Sequence, residues 1–160
     1  MSFFLPKTVI DEISGYVQKQ KTLLQSYKEK NNFEMIYLVQ WTIVEKIIKE
    51  IASQYRRVKL KESLENWISY LDNNHKKPSE IKRFSIDSLH LPHEKEFKEA
   101  LSYYSLDATR IWEIMGSKGI HRRYRNKLAH DAEAISELRF NQLLPELEFL
   151  VDYFTRELKI

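Results

Sequence analysis

From Lys7 to Lys30 the apolar positions Val9, Ile10, Ile13, Tyr16, Val17, Leu23, Leu24 and Tyr27 recur at three- and four-residue steps. That period predicts an amphipathic helix, with Pro6 placed to open it and Asn31-Asn32 to turn the chain. Over Phe33–Tyr55 one stripe (Phe33, Ile36, Tyr37, Trp41, Val44, Ile47, Ile48, Ile51) is joined by Met35, Leu38, Val39 and Ile43 on the remaining sides. A helix apolar on most sides is buried on most sides, so this one should be the centre of a bundle. Its odd charge, Glu45, reads first as an ion pair or an edge residue, and second as an acid supporting a site. A shorter, separate helix is expected over Leu60–Leu71.

The pattern fails across about 72–91, where an irregular loop is expected, with Phe84–Leu89 alternating as a short extended piece would. Pro92 and His93 restart a helix that should run unbroken to Met115 and stop at Gly116-Ser117-Lys118-Gly119. Another is expected from Ile120 to about Asp131, with Ile120, Tyr124 and Leu128 inward. Ser136 can cap a last helix, which Pro145 should kink or split. The expectation is one all-α domain over residues 1–160, a roughly antiparallel bundle of five to six helices.

Three Gly and four Pro in 160 residues argue against a turn-rich β fold, and a hydrophobic content of 42% against disorder. No cysteine means no disulfide, thiol chemistry or Cys-based zinc site, as fits a cytoplasmic protein. No run approaches a membrane span, and Met1–Lys7 lacks the marks of a signal peptide. His75, His90, His93 and His121 are too scattered to suggest a metal site, and no glycine-rich phosphate loop is present.

Net charge is only +3, but its distribution is informative. From Lys118 to His130 the chain carries Lys118, Arg122, Arg123, Arg125 and Lys127 and no acid. Arg125-Asn126 and His130 together offer a permanent guanidinium fork for phosphate, an amide, and an imidazole suited to proton transfer near neutral pH. Arg122, Arg123, Lys127 and Lys118 would add sequence-independent affinity for a nucleic-acid backbone. On an α-helical wheel Arg125 and His130 lie ~140° apart, at the edges of one polar face, while Asn126 and His130 are within direct reach. Arg83 and His90 satisfy a similar loose spacing inside the irregular segment, so spacing alone does not single out the motif.

With an Arg-Asn…Ala-His sequence on a basic helix before the last one, the chain resembles the HEPN superfamily (higher eukaryotes and prokaryotes nucleotide-binding domain). The resemblance spans most of residues 7–159 as a helix pattern and is motif-specific at Arg125, Asn126 and His130. It implies a metal-independent endoribonuclease needing no cofactor, with those three residues catalytic. It also implies a homodimer with two motifs facing across a cleft, and a toxin or defence role with an antitoxin or defence-system partner. One branch, paired with a nucleotidyltransferase antitoxin, has Tyr two places after the motif His; here that place is Ala132. Other members only bind RNA, nucleotide or protein. A cationic face is poor at driving association alone, so a dimer should draw apolar contact from helix 33–55 and the last helix.

Overall fold

A computed structural model describes residues 3–73, 76–81, 90–131 and 134–160. Among these the only regular structure is helical, a bundle of α1 (Lys7–Glu29), α2 (Phe33–Asn73), α3 (Glu94–Tyr103), α4 (Ala108–Met115), α5 (Ile120–Asn126) and α6 (Glu137–Leu158), with a π turn at Lys127–Asp131 between α5 and α6. Phe84–Leu89, with Arg83, His75, Ala132 and Glu133, lies outside the described residues. No described helix is long and apolar enough to cross a membrane.

The Pro6 carbonyl accepts from the Val9 and Ile10 N–H groups, starting α1. Asn31 (φ 50°) makes the turn into α2, and the Asn32 side chain accepts the Met35 N–H at 3.2 Å. Ile13, Val17 and Leu24 of α1 meet a first half of α2 in which every buried position from Ile36 to Ser53 lies. Tyr37, Ile43, Val44, Ile47 and Ile51 are completely buried there, against α1, α3 and α6. The all-round apolar pattern therefore marks the bundle's centre, as expected.

Four expected boundaries are corrected. The helices anticipated over 33–55 and 60–71 are one: Arg56-Arg57-Val58-Lys59 contains no Gly, Pro or cap, so nothing ends the hydrogen-bond ladder there. An Arg56–Glu96 ion pair ties this stretch to α3, and beyond it Leu64, Ile68 and Leu71 are exposed. Conversely, the helix expected to run to Met115 breaks after Tyr103. Leu106 N–H reaches the Leu101 carbonyl at 3.0 Å and Ser105 N–H the Ser102 carbonyl at 3.0 Å, with Ser105 left-handed (φ 60°). That is a Schellman termination built on Ser rather than the usual Gly. Asp107 then caps α4 by accepting the Arg110 N–H at 3.1 Å.

The third correction concerns Pro145, which does not split α6: the helix runs through it. Both Pro145 and Asn141 (whose carbonyl loses its partner) are exposed, so water can satisfy the freed oxygen. Ser136 does cap α6, accepting the Arg139 N–H at 3.2 Å. The fourth lies in the motif helix, whose last turn is π rather than α.

Candidate functional site on the basic helix

The turn leading into α5 leaves no choice at its first residue. A Cβ on Gly116 would stand 2.6 Å from the Trp112 carbonyl oxygen and 2.7 Å from its indole, so only glycine fits against the end of α4. Gly119 N–H closes the turn on the Gly116 carbonyl at 2.9 Å. From there α5 is rotated relative to the expected wheel. Ile120 is 41% exposed, whereas His121 is 1% exposed and faces the core; Tyr124 and Leu128 pack partly against it, as anticipated.

His121 turns inward because both ring nitrogens have partners from distant elements. Its Nε2 lies 3.3 Å from Oε1 of Glu146 in α6, and its Nδ1 2.9 Å from the Tyr37 hydroxyl of α2. With Nε2–H donating to the carboxylate, Nδ1 is the bare nitrogen and accepts the Tyr37 proton; the same hydroxyl lies 3.2 Å from the His121 carbonyl. Burial holds the imidazole below its ordinary range, against the upward pull of Glu146. Burial likewise pushes the Tyr37 phenol far above its usual value, Glu146 and Tyr124 adding to it. Arg139 of α6 further grips α5, its Nε donating to the Tyr124 hydroxyl at 2.7 Å with the guanidinium over that ring.

Fixing His121 inward fixes the outward face. Arg122, Arg125 and Asn126 line a cavity of about 360 Å³ together with Trp41, Glu45 and Lys49 of α2 and His90 and Leu91. Glu45 occupies the α2 wall. One oxygen accepts the Trp41 indole N–H at 3.1 Å and the other meets Lys49 Nζ at 3.1 Å. Arg125 Nη1 donates to Asn126 Oδ1 at 3.1 Å, which leaves the Asn126 amide N–H groups as donors. Among the described residues, no carboxylate is recorded against Arg122 or Arg125.

The rest of the basic run diverges. Arg123 and Lys118 are exposed, Lys127 is half-buried, and none of the three lines the cavity. His130 lies on the π turn, exposed and without a recorded hydrogen bond or ion pair among the described residues. The expected reach of Asn126 to His130 is not made; its amide oxygen is taken by Arg125 instead. A π turn closes over five residues rather than four. The α-helical wheel therefore does not carry past Asn126 to His130.

Sequence reasoning missed Trp41, Lys49 and the inward role of His121, and treated His90 as a scattered histidine. The only advance signal was Glu45, a charge that needed a partner in an apolar helix. No group of three or more His, Asp or Glu among the described residues is placed to hold a metal ion. Comparison with protein-family models, curated proteins and solved structures finds no match to this chain.

Proposed function

We propose that this chain is a metal-independent endoribonuclease of HEPN type that cleaves RNA through its own 2′-hydroxyl. The observation that carries the reading is that Arg125 and Asn126 share a cationic cavity and lie five and four residues before an exposed imidazole, His130. In this mechanism His130 takes the 2′-hydroxyl proton as the 2′-oxygen attacks phosphorus. Arg125 and the Asn126 amide N–H groups hold the non-bridging oxygens as charge develops on them. The P–O5′ bond breaks, and the departing oxygen takes a proton from the His130 of a second copy. A homodimer with the motifs facing each other supplies that second imidazole.

Exposed apolar side chains beside the motif suit such a contact: Ile120 at the start of α5 and Leu138 at the start of α6, with Phe149 further along. Helix 33–55, expected to contribute, has none of the large exposed apolar residues. A toxin or defence effector acting in the cytoplasm, held by a protein partner, is the biological setting this activity fits. The test is incubation of the purified protein with RNA in excess EDTA beside His130→Ala. Cleavage by the wild type alone supports the reading; equal cleavage by the variant, or none without magnesium, refutes it.

A second reading, a module that binds RNA, nucleotide or a protein without turnover, is favoured by one observation. No described side chain orients His130, whereas catalytic bases are usually held by a third group. Tight RNA binding with no product at any protein concentration would select it.

A further inference from the structure

The cavity between α2, residues 90–91 and α5 has a charge balance that specifies more than general affinity for RNA. Among the described residues its wall carries three cations, Lys49, Arg122 and Arg125, and one carboxylate, Glu45. Glu45 is already engaged on both oxygens, by the Trp41 indole and by Lys49, so it cancels Lys49 and holds that ammonium in place. Two guanidiniums remain without a recorded carboxylate, one helical turn apart on α5. His90 and the Asn126 amide add hydrogen-bonding groups at the same wall. Among the described residues, an uncompensated charge of about +2 around this half-open concavity matches a phosphomonoester, which carries nearly two negative charges at neutral pH. A phosphodiester within a strand carries only one. A volume of about 360 Å³ lies within the range of small-ligand sites and admits a phosphate with the nucleotide that bears it.

We infer that this cavity binds a terminal phosphomonoester together with its nucleotide, as the end group of an RNA strand or as a free mononucleotide. Arg122 is the contact that distinguishes it from the general cationic face, and Lys49 contributes by neutralising Glu45, which would otherwise repel the phosphate. The inference rests on the ribonuclease reading only in its choice of strand: on that reading, a seated end group sets how far along the strand cleavage occurs.

The test is direct binding in a His130→Ala background, so that nothing is consumed. Calorimetry would compare inorganic phosphate, a nucleoside monophosphate, and short oligoribonucleotides bearing a phosphate at the 5′ end, at the 3′ end, or at neither. A terminal phosphate should tighten strand binding by about tenfold or more, as charge-assisted hydrogen bonds contribute. That gain should vanish in Arg122→Gln and in Lys49→Gln but persist in Arg123→Gln, which does not line the cavity; circular dichroism would confirm folding. A preference for the phosphorylated strand over the mononucleotide assigns the site to strand ends, and equal affinity assigns it to free nucleotides. Identical binding with and without the phosphate, or an Arg123→Gln loss as large as that of Arg122→Gln, overturns the inference. A phosphate-dependent gain in a protein that cuts no RNA would leave the cavity standing and remove the ribonuclease; cleavage indifferent to end groups would do the reverse.

Discussion

Two histidines nine residues apart on one basic segment have opposite surroundings. His121 is enclosed, with Tyr37 on one nitrogen and Glu146 on the other. His130 is exposed on a π turn, and no described group is recorded against it. The first is a structural part that joins α2, α5 and α6. The second is available to a ligand or a second copy. A scan for histidines near arginines ranks the two alike, and only their long-range partners separate them. A histidine's place in this fold is thus set by residues far away in the chain and not by its basic neighbours.

The largest effect should come from emptying the enclosed site. His121→Ala removes a buried ring and leaves the Tyr37 hydroxyl without its Nδ1 partner, so it should cost about 3 kcal/mol. His130→Ala should change stability by less than about 0.5 kcal/mol, as exposed substitutions do. Urea unfolding of both variants checks the contrast, and a similar loss at both positions would break it. Tyr37→Phe keeps the volume and removes only the hydroxyl; it should cost about 1–2 kcal/mol by the same measurement.

These expectations rest on features with unequal traces in the sequence. The core half of α2 was legible because its apolar period is redundant: many residues repeat one message. The boundary errors came from signals that local sequence does not carry. Arg56–Lys59 looked like a link only because the apolar stripe thins there, yet nothing in it stops a helix. Ser105 ends α3 in a conformation normally announced by glycine. The π turn has no recognised local marker, so the sequence pattern continued the α-helix through His130. Within the candidate site, the Arg125, Asn126 and His130 motif could be read directly. Its neighbours Trp41, Lys49 and His90 could not, because the fold brings them from 32 or more residues away in the chain. His121 was misjudged for the same reason, Tyr37 being 84 residues distant.

A smaller, pH-dependent effect sharpens the comparison. Because burial lowers the His121 pKa in the folded protein, the unfolded chain binds more protons below about pH 6.5. The sign follows: this contribution to stability is complete above the unfolded-state value and declines as pH falls toward the folded one. Stability should therefore drop between pH 7 and pH 5, and the drop should be steeper in Glu146→Gln, which removes the group that raises the pKa. Unfolding midpoints at several pH values measure this; a flatter profile in Glu146→Gln would contradict it. The smallest expected effect is that of Arg123→Ala, which should lower RNA affinity slightly and reduce its salt dependence by about one counterion.

The measurement that bears most directly on the central claim uses an RNA strand and its fully 2′-O-methylated counterpart, both in excess EDTA, with product ends read by mass spectrometry. Wild-type protein should cut only the unmodified strand, leaving a 2′,3′-cyclic phosphate and a 5′-hydroxyl, and His130→Ala should yield neither product. Cleavage of the methylated strand, or products ending in 3′-hydroxyl and 5′-phosphate, would contradict it.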